Sequence, residues 1–276
     1  MNSNRKSGYF GSQTVMIVVS ALIIFPLYFM VVNAFKTREQ YLIDPLGLPA
    51  PFTFQNFVDA FSGKNFVSWF LNSVILSAST VVITGIIGLL AAYAFSKMEF
   101  KGRKLLFRMV IPLMSVSPVA MLIPLFKLVS ALNLVNTLSS VILIYCGICL
   151  PLTVYMMRNF LLSVPNSLLE AAEIDGCSRF GILLNVIAPL SVPSIITSGL
   201  VNLVWAWNEL LIALVFLQKE SLRTLVVGTT IFKSRYSLNV PVIMAGLVVV
   251  TVPMILVYIF GQKKLVQGLM AGAVKG

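Results

Sequence analysis

Residues 163–189 read SVPNSLLEAAEIDGCSRFGILLNVIAP, a polar passage between two long apolar runs. It holds Glu170, Glu173 and Asp175, three of only nine acidic residues in the chain. Pro165 suits a first helical turn, where its missing N–H costs nothing. Asn166 to Asp175 are mostly good helix formers. Gly176 can adopt the left-handed conformation that closes a helix, and Ser178 can cap a second short helix running to Ile187. Pro189 and Pro193 open the next apolar run. The passage predicts a helix–glycine–helix elbow at a membrane surface. Its first helix offers Leu168, Leu169, Ala171 and Ala172 as a small apolar face flanked by carboxylates, the shape of a peg for a groove on another protein. An ordinary surface elbow between two membrane helices has the same local pattern.

Composition agrees with the membrane. Of 276 residues 58% are hydrophobic and 11% charged, with a mean hydropathy of +0.96; a soluble domain carries about twice that charged fraction. Repeated near-chargeless runs of about 20 residues predict a core that faces lipid. The net charge is +11, but the cations stand in short segments beside apolar runs, so they are topology signals and not a nucleic-acid footprint. The first apolar run is too long for the h-region of a cleavable signal peptide and lacks a small-residue cleavage site.

Six spans are expected: Thr14–Phe35, Phe70–Phe95, Leu105–Val129, Leu138–Met157, Leu190–Leu217 and Val240–Phe260. An even number puts both termini on one side. The larger share of Lys and Arg, with its densest cluster from Lys97 to Arg108, falls on the side that also holds the elbow, which the positive-inside rule makes cytoplasmic. Three parts follow: residues 1–69, with the N-terminal tail, first span and an external segment; residues 70–260, a five-helix core with the elbow at 163–189; and residues 261–276, a cytoplasmic tail. In the external segment Asn56 to Phe61 can form a short interfacial helix showing Phe57, Val58 and Phe61. Ser73, Ser77, Thr80, Thr84, Gly85 and Gly88 of span two allow close helix packing. Pro112, Pro118 and Pro124 predict kinks or an unwound stretch in span three.

Span five carries the most informative polar residues. On one continuous helix Ser198, Asn202, Trp205 and Glu209 share about a quarter of the circumference, with Asn208 flanking it and Trp207 pointing away. An acid that deep should face the bundle interior or a wet cavity. A ring beside amide and carboxylate groups suits a sugar, stacking on its C–H face while the polar groups take hydroxyls. A packing aromatic plus an acid satisfied by a neighbouring helix fits the same residues.

The order Glu170-Ala171-Ala172, then Gly176, Val186, Ala188 and Pro189, resembles the EAA loop of ABC-importer permeases. The stretches AAYAFS (residues 91–96), LNLVNT (132–137), with Asn133 where Gly is common, and WAWNELLIALVFL (205–217) are similar to segments of carbohydrate importers. The tail GLMAGAVKG (268–276) resembles that of the MalG-like, binding-protein-dependent type I importer permeases. The resemblance covers nearly the whole chain. It implies an all-α membrane protein of six transmembrane helices with the MetI-like permease fold and a coupling-helix elbow. It implies that Glu170, Ala171, Ala172, Glu173, Asp175, Gly176 and Pro189 form the ATPase-coupling surface: Glu170 for polar contact, the alanines for close approach, Gly176 for the turn. Gly268, Leu269, Gly272, Lys275 and Gly276 would reach the interface between the ATPase subunits. Ser198, Asn202, Trp205, Asn208 and Glu209 would line a substrate cavity. The implied partners are a second homologous permease in a heterodimer, two ABC ATPase subunits, a periplasmic or extracellular solute-binding protein, a sugar substrate and the bilayer of the bacterial cytoplasmic membrane, with no nucleic acid. ATP and Mg would sit on the ATPase, and this chain would bind no cofactor.

There is no His in the chain, hence no imidazole base and no usual zinc site, and there is no phosphate-binding G-x-x-x-x-G-K-[ST] loop. Cys146 and Cys149 have CxxC spacing inside span four and suit core cysteines; Cys177 suits a free thiol. The expected function is an energy-coupled importer permease for sugars or oligosaccharides, not itself an enzyme. The alternatives are a permease for glycerol-phosphate-type or other small polar solutes, and a self-sufficient secondary carrier or channel.

Overall fold

The computed structural model describes residues 3–61, 65–235 and 239–273, with side chains described over 13–61, 65–230 and 239–262. No strand occurs among the described residues. In chain order the helices are α1 (Ser3–Ala34), α2 (Arg38–Ile43), α3 (Gln55–Phe61), α4 (Phe66–Lys97), α5 (Arg103–Leu113), α6 (Pro118–Ala131), α7 (Leu138–Leu162), α8 (Ser167–Ile174), α9 (Arg179–Ile182), α10 (Ala188–Asn208), α11 (Leu211–Phe216), α12 (Leu225–Arg235) and α13 (Val240–Ala273). Five segments are long and apolar enough to cross a membrane: Gln13–Ala34, Phe66–Lys97, Leu138–Leu162, Arg179–Asn208 and Val240–Gln262. A sixth is made if α5 and α6 count as one.

That pair lies where a third span with kinks or an unwound stretch was expected over Leu105–Val129: α5 and α6 meet at a bend of 103°. The break falls at residues 114–117, with Pro112 just before it and Pro118 opening α6. Each proline removes a helical donor and crowds the preceding turn, and together they end one helix and start another. Beyond Val240–Gln262, α13 continues without a break to Ala273. Extending a formed helix adds a hydrogen bond per residue without a new nucleus, so even the glycine-containing tail propagates from the span before it.

The chain divides into two compact units, residues 1–66 with 228–253, and residues 67–227 with 254–276. In the first, the C-terminal end of α1 is closed by the segment that follows it. Asn56 donates to the Ala34 and Lys36 carbonyls at 2.9 and 2.7 Å, and the Thr53 N–H donates to Phe35 at 3.0 Å. These bonds satisfy carbonyls that a helix end leaves orphaned. Phe35 stacks on Phe52 at 4.4 Å, and α3 shows Val58 and Phe61 outward while burying Asn56 and Ala60.

The second unit has two apolar cores. One gathers Leu76, Ile144, Tyr145, Ala206, Ile212 and Phe216; the other gathers Ala92, Tyr93, Met157, Leu161, Ala172, Ile182 and Ile187. Along α4, α7 and α10 alike, a buried polar belt lies between them: Ser77, Thr80 and Thr84, then Thr153, then Ser191, Ser194, Thr197, Ser198 and Asn202. Small residues let these helices close up. At Gly88 an added Cβ would stand 2.6 Å from Thr153 Cγ2, whereas at Gly85 it would meet nothing within 4 Å. Replacing Gly88 by Val therefore costs about 1–3 kcal/mol by overpacking, read as a lower melting temperature in detergent, while Gly85→Val stays within about 0.5 kcal/mol.

Candidate functional site

The predicted elbow is present and its turn is well defined. Helix α8 ends with Gly176 at φ +81°. The Cys177 N–H donates to Ala172 O at 2.9 Å and the Gly176 N–H to Glu173 O at 3.0 Å. These two bonds form a Schellman closure, in which a left-handed residue lets the chain satisfy the last carbonyls. The Ser178 hydroxyl then accepts from the Gly181 N–H at 3.1 Å and caps α9. The second arm does not stop at Ile187, as the sequence suggested. A π-helical turn over Leu183–Ile187 joins α9 to α10, so the elbow's second arm and the fifth span are one helix. Pro189 supplies the reason: it cannot donate to Asn185 and its ring crowds that carbonyl. The ladder shifts register instead, with the Ala188 N–H donating to Leu183 O.

The faces of the elbow differ from the expected ones. Ala172 is buried in the chain's own core with Ile182, Leu183 and Ile187, so the close approach it permits is internal, not toward a partner; Leu169 packs against the same core. The outward face carries Leu168, Glu170, Ala171, Glu173 and Asp175. Two further residues, missed in the sequence, stand out there: Ile174 is 86% and Phe180 64% exposed. Their signal was available, since each is a large apolar residue inside the most polar passage of the chain. The elbow is fastened at its start by Lys97, at the end of α4. Its Nζ donates to Val164 O and, at 2.9 Å, to Asn166 Oδ1. On α7, Arg158 donates to Phe95 O at 3.3 Å and lies 3.9 Å over the Phe107 ring.

The residues read as a cavity face do not share one helical arc. Helix α10 ends at Asn208, and Glu209 is extended at φ −69°, ψ 125°. Glu209 therefore sits at a break, where its carboxyl group closes the next helix. Oε1 accepts from the Ile212 N–H at 2.9 Å, and Oε2 accepts from the Ala213 N–H at 3.0 Å and from the Tyr145 hydroxyl at 2.8 Å. Trp205 is half-buried and packs edge-on against Tyr145 at 5.2 Å. Asn202 is buried and donates to Thr84 Oγ1 at 3.0 Å and Thr153 Oγ1 at 2.8 Å. Both threonine hydroxyls donate to their own helices, at Thr80 O and Cys149 O, which leaves their oxygens free to accept. Ser198 likewise donates to Ser194 O at 2.9 Å. Asn208 is exposed, donating to Val204 O at 2.8 Å, and Trp207 is buried edge-on to Phe70 at 6.0 Å. Asn202 thus ties three spans together, and Glu209 with Tyr145 holds the break.

The start of α4 and the approach to α7 are also joined to the segment after α11. Trp69 donates to Glu220 O at 2.6 Å, Asn72 to Ser221 O and Arg223 O at 2.9 and 3.0 Å, and Asn136 accepts from the Gln218 and Lys219 N–H groups at 2.7 and 2.9 Å. Asn133 and Asn136 have φ of 55° and 61°, conformations that Asn tolerates next best after Gly. Cys146 and Cys149 are buried in α7 and Cys177 is half-buried at the elbow; all three are free. Of the tail residues, Gly268, Leu269 and Gly272 lie on α13, while Lys275 and Gly276 lie outside the described residues.

A profile of the family described as "Binding-protein-dependent transport system inner membrane component" matches residues 84–269. The sulfoquinovosyl glycerol transport system permease protein SmoH of Agrobacterium fabrum is 34% identical over 275 residues, covering 98% of this chain and 96% of that protein. The trehalose/maltose transport system permease protein MalG of Thermococcus litoralis is 33% identical over 264 residues, 94% of each. The fold is similar to a chain in the crystal structure of a bacterial ABC transporter that imports the acidic polysaccharide alginate. The TM-score is 0.83 at 23% identity, over 95% of this chain and 98% of that one.

Two outcomes follow from the geometry. Glu209→Gln places an amide N–H group against backbone donors and lowers thermal stability in detergent by about 1–3 kcal/mol even without any sugar; Tyr145→Phe costs about 1 kcal/mol, less when Glu209 is already replaced. Gly176→Val costs on the order of 1–2 kcal/mol from the left-handed backbone alone, measured by the same melting assay, while Gly176→Asn keeps most of the stability.

Proposed function

The chain belongs to the family of binding-protein-dependent transport system inner membrane components, and from that premise we propose that it is a permease subunit of an ATP-driven importer for sugars or oligosaccharides. The relatives' names supply the substrate class: sulfoquinovosyl glycerol, trehalose and maltose. Its partners in this reading are a second homologous permease, two ATPase subunits that bind ATP and Mg and do all the hydrolysis, and an external solute-binding protein. The chain lies in the bacterial cytoplasmic membrane with both termini and the elbow in the cytoplasm.

The observation that carries the reading is the continuity of the elbow. An exposed acidic helix, α8, turns at Gly176 into α9, and α9 runs through the π-helical turn into α10. Helix α10 holds Asn202 in the polar belt and ends at the Glu209 break. A push received at Glu170, Ala171, Glu173 and Asp175 on the first arm passes through the Gly176 turn to α9 and from there along one helix to the middle of the bundle. Ile174 and Phe180 add apolar anchors beside the carboxylates, the combination of buried hydrophobic contact and charged rim that protein interfaces use. The same push reaches α4 through Lys97 and α7 through the shared core. Moving a packed belt against its neighbours is the kind of two-state rearrangement that alternating access needs.

The substrate contacts assigned to this chain are Trp205 and Asn208, whose faces are at least partly open. Ser198, Asn202 and Glu209 support them from behind by holding helix positions. An anionic solute such as a glycerol phosphate would want a Lys or Arg at this level, and residues 190–217 contain neither. A self-sufficient carrier would want an uncommitted titratable group there, and the Glu209 carboxyl accepts three hydrogen bonds.

The test is reconstitution. In proteoliposomes with the neighbouring permease, ATPase and binding protein, sugar uptake should depend on ATP. Glu170→Ala and Phe180→Ser should reduce ATPase co-purification and uptake at least tenfold, with the chain's own melting temperature unchanged. Full-rate uptake by this chain alone would end the importer reading.

A further inference from the structure

The structure carries a second polar site, well away from the Asn202 level, at the start of α5. A recess of about 500 Å³ opens there between Glu99, Phe100, Arg103, Lys104, Leu105 and Arg108. Three cations face one acid. The Arg103 guanidinium is already oriented, since Nη1 donates to Met98 O at 2.7 Å, and Lys101 stands exposed beside it.

Helix geometry sorts α5 into three columns. Phe107 is buried beneath the Arg158 guanidinium and anchors α5 to α7. Lys104 and Arg108, one turn apart, share a neighbouring column. Leu105 and Met109, also one turn apart, form the next, and both are exposed, at 58% and 56%. A cationic column beside an exposed apolar column is the pattern of a helix lying in the membrane interface, cations toward headgroups and hydrocarbons toward acyl chains. A soluble anion would satisfy the cations and leave Leu105 and Met109 in water. A molecule with an anionic head and alkyl chains satisfies both.

We propose that this recess binds the headgroup of an anionic phospholipid, with Lys104 and Arg108 meeting the phosphate, Arg103 as the fixed donor behind them, and the acyl chains along Leu105 and Met109. The site is on the elbow's side of the membrane, because α5 follows directly on the end of α4, whose Lys97 donates to Asn166. A bound headgroup pins α5 to the membrane surface, and through Phe107 and Arg158 it pins the end of α7 from which the elbow departs. The elbow then moves against a fixed floor. This inference needs the chain to be membrane-embedded but does not need the transport reading.

The experiment uses the full chain in detergent micelles, titrated with dioleoyl phosphatidylglycerol or dioleoyl phosphatidylcholine and observed by native mass spectrometry. Retention of phosphatidylglycerol should exceed that of phosphatidylcholine by at least about 30-fold. The double variant Lys104→Gln/Arg108→Gln should lose on the order of 30-fold of that preference, as two juxtamembrane cations would contribute. The double variant Lys127→Gln/Lys219→Gln, equal in charge removed and distant from the recess, should keep it. Equal retention of the two lipids, or equal loss in both double variants, overturns the proposal. Displacement of phosphatidylglycerol by millimolar inorganic phosphate overturns it too, by making the recess a soluble-anion site.

Discussion

Hydrocarbon offers no hydrogen bonds, so every interruption of a membrane helix has to be closed by the chain itself. This protein interrupts its helices repeatedly and closes each break with its own groups. At the end of α10 the Glu209 carboxyl group takes over the first donors of α11, and Tyr145 steadies it from α7. Before Pro189 the ladder slips into a π turn. At the elbow Gly176 folds back so that Ala172 and Glu173 find donors. Where helices meet at mid-span, Asn202 spends both amide hydrogens on threonines of two other helices.

These closures are also what makes motion possible. A belt of small hydroxyl residues separates two apolar cores in the second unit. Ser77, Thr80, Thr84, Thr153, Thr197 and Ser198 donate within their own helices and Ser191 finds no partner among the described residues, so sliding one helix against another loses few hydrogen bonds. Asn202 is the exception, because its bonds cross from helix to helix. Interhelical bonds of this kind contribute roughly 0.6 to 2 kcal/mol in membranes, enough to favour one arrangement without locking it. The fifth span is thus continuous with the elbow's second arm and interrupted at its far end.

Much of this was legible in the order of residues. The apolar runs located the spans, because only a helix satisfies its own backbone in lipid over such lengths. Gly176 and Ser178 marked the elbow, since each is the residue type demanded by a left-handed closure or a cap, while Pro165, read as part of the first turn, stands just before Asn166, the residue that precedes α8. The family resemblance read from Glu170-Ala171-Ala172 to Pro189 agrees with the profile that matches residues 84–269. Local chemistry of this kind depends on a few neighbouring residues and survives any change in the rest of the fold.

Direction and partnership were not legible, because both depend on groups distant in the chain. Ala171 and Ala172 are equivalent in sequence; the core formed by Ile182, Leu183 and Ile187 turns one inward and leaves the other outside. Glu209 read either as a cavity acid or as an acid satisfied by a neighbouring helix; Tyr145, 64 residues away, and the break it stands beside make it a helix closure. Gly85 and Gly88 look alike, yet Thr153 stands against only the second. The prolines of span three announced a kink or an unwound stretch, but not its size of 103°. Local residue chemistry sets which elements can form, while the identity of each buried neighbour, which no short-range pattern encodes, assigns every polar side chain its work.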